Sequence, residues 1–226
     1  MRLSIVIPVF NEERTVKPLI ERILASPYDK EIIVVDDGST DATPRLLTEL
    51  AAHHSLTLLH HQRRRGKGAA LRTGFAKATG DVVIIQDADG EYQPEEYGEL
   101  LRPIQRGWAD VVYGSRFLGT HRVFLFSHRL GNWLVNTAVN LLYDTMLSDL
   151  ETGFKAFRRE VLQSLTLRSN DFRIEVELTA KIFRKRYRVY EVPISYSGRT
   201  YAEGKKLTWR DGVLAIWALL EFRFRN

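Results

Sequence analysis

Glu31-Ile32-Ile33-Val34-Val35-Asp36-Asp37-Gly38-Ser39-Thr40-Asp41 joins a run of apolar, mostly β-branched residues to a knot of acids and turn formers. The run reads as a buried strand, and the segment that follows, Thr43 to Ala52, reads as a helix with Pro44 in its first turn, where a missing N–H costs nothing. Strand, polar turn and helix make half of a βα unit. The same alternation recurs on both sides. Leu3 to Val9, Leu56 to Leu59, Asp81 to Ile85 and Asp110 to Tyr113 read as further strands, with helices at Glu12 to Leu24, Lys67 to Ala78 and Pro94 to Arg106 between them. Such a pattern feeds an α/β fold with a Rossmann-like, mostly parallel central sheet flanked by helices.

Beyond Gly114 the pattern changes. An aromatic and basic stretch, His121-Arg122-Val123-Phe124-Leu125-Phe126-Ser127-His128-Arg129, precedes a helix around Asn132 to Met146. A loop, a helix near Arg173 to Arg184, a strand at Tyr187 to Ser195 and a C-terminal helix from Trp209 to Phe224 follow. Trp209, Val213, Ile216, Trp217, Leu220 and Phe224 fall at near-helical spacing with Arg210, Arg223 and Arg225 at the flanks. This is an amphipathic stripe suited to the core or to a membrane interface. With 226 residues, 44% of them hydrophobic, the chain suits one α/β domain.

The absence of cysteine excludes disulfides, thiolate zinc sites and a thiol nucleophile, and fits a reducing cytoplasm. The apolar start at Arg2 to Phe10 runs into Asn11-Glu12-Glu13 with no small-residue cleavage site, so it reads as a strand, not an export signal. The best spanning candidate, Leu130 to Tyr143, is too short for a bilayer and carries three asparagines, so an integral protein is not expected. A net charge of +5 favours anionic partners.

Acids and polar groups gather at the predicted strand ends, where open parallel sheets place their ligand crevice. In Asp87-Ala88-Asp89 the acids stand at i and i+2, on one side of an extended strand end, and can share a hard divalent cation such as Mg²⁺ or Mn²⁺. Glu91 could add a third ligand. A turn built from Asp and Gly is the alternative. Of Ser39, Thr40 and Asp41, one is expected to cap the next helix. Adjacent Asp36 and Asp37 exceed that need, and a carboxylate there can accept from ribose hydroxyls or a base N–H. A dinucleotide-binding reading fails because Pro8-Val9-Phe10-Asn11-Glu12 stands where Gly-x-Gly-x-x-Gly is required. Arg63-Arg64-Arg65-Gly66-Lys67-Gly68 is a phosphate-facing helix start or a solvated basic loop, without the Walker spacing. It also lacks the interleaved aromatics of a single-strand platform, so nucleic acid is not the expected partner. The six histidines show no metal-ligand spacing.

In order along nearly the whole chain, Pro8 to Glu13, Val34 to Asp41, Gly66-Lys67-Gly68, Asp87-Ala88-Asp89, Tyr113 to Arg116, Ser148 to Lys155, Glu191 to Ile194 and Arg199 to Lys205 resemble the inverting family 2 glycosyltransferases. The likeness is to the polyprenyl-phosphate sugar transferases among them. The resemblance implies a GT-A fold, residues 1–115 as the nucleotide-sugar half and residues 116–226 as the acceptor half. It implies a donor such as GDP-mannose or a UDP-glucose-like sugar, with Mg²⁺ or Mn²⁺ as cofactor. The acceptor is then a polyprenyl phosphate, met peripherally at the cytoplasmic face of a membrane.

Carried over residue by residue, Pro8, Phe10, Glu12, Val35 and Asp37 meet the nucleoside. Lys67, Asp87, Ala88, Asp89, Arg116, Arg199 and Lys205 complete the donor site, and Asp87, Asp89 and Glu91 hold the metal. Arg116, Arg129 and Lys155 are expected on the acceptor phosphate, and Asp89, Arg116 and Glu177 in catalysis. A lipid phosphate is largely ionised near neutral pH, since its second pKa is about 6, and needs no strong base. A hydroxyl acceptor on a lipid or glycan would need one, for which Glu177 or Asp149 is available. Arg116 and Arg199 could instead pair with Asp149 or Glu177.

Overall fold

The computed structural model describes residues 1–123, 125–198 and 209–224. The described strands are β1 Leu3–Val9, β2 Lys30–Asp36, β3 Thr57–His60, β4 Val82–Ile85, β5 Val111–Ser115, β6 Lys155–Arg158 and β7 Val189–Pro193. They form one sheet in the order β3-β2-β1-β4-β6-β5-β7. All pairings are parallel except those of β6, which runs antiparallel to both β4 and β5. The α/β, mostly parallel sheet expected from the sequence is the sheet observed. Two elements were not read from the sequence, β6 itself and the short helix after it.

The helices are α1 Val16–Ala25, α2 Thr43–His53, α3 Lys67–Phe75, α4 Tyr97–Gln105, α5 Phe126–Tyr143, α6 Arg159–Ser164, α7 Arg173–Arg184 and α8 Trp209–Phe224. They cover both faces of the sheet. Leu3, Ile5, Ile7 and Val9 of β1 join α1, α2 and α4 in one core, while Val6 joins α3, α5, α7 and α8 in the other. A strand buried on both faces must be apolar at nearly every position, which is why β1 and β2 lack the alternation of a half-exposed strand. Pro8 is tolerated in β1 because the pairing with β4 stops at Val6 opposite Ile85, so no ladder bond is lost on that side.

Several boundaries differ from expectation. α1 starts at Val16, not Glu12, because Asn11 is left-handed at φ 53° and Thr15 and Val16 donate their N–H groups to the Glu12 carbonyl in a turn. α5 starts at Phe126 and so absorbs the end of the aromatic and basic stretch; it ends where Asp144 turns left-handed at φ 51°. α8 packs on α5 and α7 through buried Ala218 and Leu219, yet Trp217, Leu220 and Phe224 face outward. It is apolar on two sides over this stretch, where a single stripe including Trp217, Leu220 and Phe224 was expected. Trp209, Val213 and Ile216 belong to the helix, with side chains outside the described set.

Candidate functional site

The C-terminal ends of β1, β2, β3 and β4 lie on one edge, as their parallel pairing requires. Because β6 is antiparallel to β4, its entering turn, Thr152-Gly153-Phe154, arrives at that same edge. The crevice is therefore built from two halves of the chain.

At the ends of β1 and β2 the two turns are stitched together. The Asn11 N–H donates to the Ser39 hydroxyl at 2.9 Å, the Thr40 N–H to the Asn11 side-chain carbonyl at 2.8 Å, and the Glu12 N–H to the Thr43 hydroxyl at 3.0 Å. Asp41 accepts from the N–H of Thr43, the first residue of α2, in a turn, but the residue at the cap position is Ala42 and no side chain caps the helix, so the cap expected from Ser39, Thr40 or Asp41 is not formed. Glu12 is buried and accepts from the Thr15 hydroxyl at 3.0 Å. Pro8 pairs opposite Val35 in the ladder, so these two share the floor of the site. Phe10 stands at the rim, with the Arg64 guanidinium 4.4 Å above its ring.

Asp36 and Asp37 are both buried at 3% exposure, and both meet a histidine that sequence reasoning passed over. His60 Nδ1 lies 3.1 Å from Asp36, and His61 Nδ1 lies 2.6 Å from Asp37 Oδ1. Asp37 also accepts from the N–H groups of Arg65 at 2.9 Å and Gly66 at 2.7 Å. A carboxylate has about four acceptor positions, so Asp37 keeps about one for a ligand. The signal was present: β3 runs parallel to β2 with Asp36 opposite His60, so a His-His at one strand end must adjoin the Asp-Asp at the next.

The Gly66-Lys67-Gly68 turn is not an open phosphate cradle. Gly66 adopts φ 99°, and a Cβ there would stand 2.4 Å from the Asn170 carbonyl oxygen. The N–H of Ala69 donates to that same carbonyl. What the turn delivers is Lys67, whose ammonium lies 2.8 Å from Asp87 and 3.0 Å from Glu175. Glu175 in turn meets Lys155 at 2.5 Å. Burial alone would lower the Lys67 pKa, but Asp87 and Glu175 raise it well above the ordinary lysine value. Burial would likewise raise Glu175, and Lys155 and Lys67 hold it below the usual carboxylate range.

The three-acid metal set is not assembled. Among the described residues no group of three or more His, Cys, Asp or Glu side chains converges on a cation position. Asp87 faces Lys67, and Glu91 is turned to the Tyr196 hydroxyl at 2.7 Å. Burial pushes the Tyr196 hydroxyl up, so it remains a donor across neutral pH. Ala88 is buried against the core, and Asp89 is half-buried at the mouth, where its Oδ1 accepts the Glu91 N–H at 3.1 Å.

The expected acceptor cations separate into three outcomes. Lys155 is 0% exposed and gives its donors to the Leu150 and Thr152 carbonyls and to Glu175. It cannot reach a ligand, because an ammonium has three protons and all are used. Arg116 is buried in a two-point pair with Asp149, Nε at 2.8 Å and Nη2 at 2.7 Å, while its own N–H donates to the same carboxylate. This is the ion pair weighed as the alternative from the sequence. Arg129 lies 4.3 Å over the Phe117 ring and, with Phe117, His121 and Phe126, lines an open groove of about 340 Å³.

Glu177 is engaged within the fold as well. It is fully buried, accepts the N–H groups of Arg168 at 2.9 Å and Ser169 at 2.7 Å, and meets Lys181 one turn along α7 at 2.5 Å. Burial raises its pKa, yet Lys181 and those N–H groups hold it below the usual carboxylate range. A carboxylate whose two oxygens are taken up by Arg168, Ser169 and Lys181 serves as a staple between α7 and the 168–169 loop. Arg199 and Lys205 lie outside the described residues.

The family model described as Glycosyl transferase family 2 matches residues 4–166. The polyprenol monophosphomannose synthase of Mycolicibacterium smegmatis is 31% identical over 214 residues, covering 90% of this chain and 80% of that protein. The dolichol-phosphate mannosyltransferase of Pyrococcus furiosus is 32% identical over 213 residues, covering 91% of this chain but only 59% of that enzyme. The fold is also that of glucosyl-3-phosphoglycerate synthase from Mycobacterium tuberculosis, solved with Mn²⁺, UDP and phosphoglyceric acid. The TM-score is 0.76 at 22% identity, covering 99% of this chain and 79% of the other.

Proposed function

Because this chain belongs to glycosyl transferase family 2 and has its GT-A fold, we propose that it moves a hexose from a nucleotide-diphosphate sugar to a polyprenyl phosphate, with inversion, at a membrane surface. The observation that carries the acceptor choice is the state of the two carboxylates available as a base for a hydroxyl. Glu177 is spent on Lys181 and two N–H groups, and Asp149 on Arg116. A phosphate needs no such base, being largely ionised above a second pKa of about 6. The names of the Mycolicibacterium and Pyrococcus relatives, both lipid-phosphate mannosyltransferases, support the same reading.

The donor fits the parallel-strand crevice. Phe10 and the remaining acceptor position of Asp37 would take the nucleoside, over the floor formed by Pro8 and Val35 and beside Glu12. Asp87, Ala88 and Asp89 face the diphosphate with Lys67 behind them. A magnesium or manganese ion bound through one or two carboxylates and substrate phosphates needs no three-acid cage, so Asp89 with Asp87 beside it fits that ion. When bound, the ion supplies charge neutralisation at the leaving diphosphate. Lys67 contributes to the same end from the protein, at no reorganisation cost because Asp87 and Glu175 already hold it.

The groove at Phe117, His121, Phe126 and Arg129 would take the acceptor. It adjoins the donor edge through Arg116, whose guanidinium lies 5.8 Å from the Phe117 ring and 5.3 Å from the Tyr196 ring, and Tyr196 holds Glu91. Arg129 provides the charge and the two phenylalanines the apolar wall. Exposed Leu130, Trp133 and Leu134 continue along α5, and Trp217, Leu220 and Phe224 stand outward on α8, which packs beside it. These faces are suited to the interface of a bilayer, with cationic neighbours for an anionic, cytoplasmic leaflet. Among the described residues no helix is long and apolar enough to cross one.

The test is transfer of label from GDP-mannose or UDP-glucose to undecaprenyl or dolichyl phosphate in detergent, with Mn²⁺ or Mg²⁺. The expected product is a lipid-linked sugar phosphate, absent in Asp89→Ala. Transfer to diacylglycerol or a glycan, with none to the lipid phosphate, would overturn the acceptor assignment.

A further inference from the structure

The groups described above form a buried chain of alternating charge, Asp87, Lys67, Glu175, Lys155, that reaches from the crevice into the core. Exposure of the side chains falls along it from 19% at Asp87 and 13% at Lys67 to 6% at Glu175 and 0% at Lys155. The separations are 2.8, 3.0 and 2.5 Å. Three elements meet here: α3 carries Lys67, α7 carries Glu175 and β6 carries Lys155. Donor chemistry uses Asp87 and Lys67, whereas Glu175 and Lys155 are buried behind them and do not themselves reach a substrate.

Burying four charges in line is expensive, and a well-packed apolar cluster is often the more stable choice. Packing alone therefore gives little reason for the inner pair. Its placement does. Lys155 holds the Leu150 and Thr152 carbonyls, and so fixes the turn whose Gly153 stands against Asp87. Glu175 holds Lys67 with one oxygen and Lys155 with the other.

We infer that Glu175 and Lys155 are positioning residues that set the charge of the donor site from behind: Glu175 fixes Lys67 on Asp87 and adds the negative charge that favours a divalent cation at the mouth, and Lys155 limits that charge. This rests on the donor-site reading above. Its consequence is a pair of opposite effects that no packing defect produces. Glu175→Gln removes a negative charge behind the acids and weakens Mn²⁺ binding. Lys155→Met removes the opposing positive charge and tightens it. Over about 6 Å, with the screening of bulk water at the solvated mouth (an effective dielectric of about 80), a unit charge acting on a divalent ion shifts the dissociation constant by about tenfold in each direction. The double variant restores the net charge and returns the affinity to within about threefold of the wild type.

The experiment is titration of the full chain with Mn²⁺ alone, followed by the electron paramagnetic resonance signal of the free ion, with thermal melting of each variant alongside. Weaker binding in Glu175→Gln, tighter binding in Lys155→Met and recovery in the double support the inference. Equal affinities in all, or weakening in both single variants, overturn it. Where Glu175→Gln does not fold, Lys155→Met decides alone, tighter binding for and unchanged or weaker binding against. Asp89→Ala separates the two levels. If it leaves Mn²⁺ binding intact, the donor-site reading fails; if it abolishes binding while the inner variants change nothing, only the present inference falls.

Discussion

Replacing Glu177 by glutamine keeps the shape of the side chain and removes its charge, which separates a structural carboxylate from a base. In the folded chain the group accepts N–H donors from Arg168 and Ser169 and an ammonium proton from Lys181. Glutamine keeps one acceptor oxygen and turns its NH₂ toward one of these donors, so at least one hydrogen bond to a charged group is lost and a donor is left facing a donor. Such a bond is worth about 1.5–3 kcal/mol, and with the buried mismatch the loss comes to about 3 kcal/mol. For a chain of this size Tm falls by about 2–4 °C per kcal/mol, giving about 6–12 °C in calorimetry. The folded pKa lies below the unfolded value of about 4.3, so this stabilisation is fully present above that pH and fades as the pH falls toward the folded pKa. The Tm gap between wild type and variant therefore narrows in acid. Turnover measured well below the variant's Tm stays within about threefold of the wild type, whereas loss of a general base costs about 10²–10⁴. A hundredfold loss of kcat with Tm unchanged would refute the reasoning and return Glu177 to the chemistry.

Gly153→Ala puts a Cβ 2.1 Å from Asp87 Oδ2 and 3.0 Å from the Lys67 ammonium, so transfer falls by at least about tenfold through misplacement of the acid, with donor kinetics as the readout. Arg129→Ala raises KM for the lipid phosphate by about tenfold and leaves nucleotide binding, followed by calorimetry, unchanged. Paired substitution of exposed Trp133 and Leu134 by glutamate lowers co-sedimentation with anionic vesicles while activity on a short, water-soluble polyprenyl phosphate persists.

The outer architecture was legible because its signals are local. Runs such as Glu31 to Val35 and the apolar start at Leu3 need only neighbours in sequence to be read, and α7 and α8 fall where their spacing places them. β6 escaped for a physical reason. Lys155-Ala156-Phe157-Arg158 is four residues between two charged ends, and its strand character comes from β4 and β5 on either side. Its lysine is buried although the sequence gives no local cause for it. A strand made by its partners has no pattern of its own.

The candidate site divides along the same line. Which acids stand at the strand ends was readable, since the end of a strand and its turn residues are local; whom each acid meets was not. Lys67 and Asp87 are 20 positions apart, as are Lys155 and Glu175, while Arg116 and Asp149 are separated by 33. Each pair forms only because separate elements converge on one edge. From the sequence, a gathering of acids demanded an outside cation, and Lys155, Arg116 and Glu177 looked available for ligands. The folded chain answers most of that demand internally: Lys67 lies on Asp87, His61 on Asp37, Tyr196 on Glu91. Where internal partners already balance a carboxylate, what a ligand meets is the remainder of the charge, not the sum over the acids.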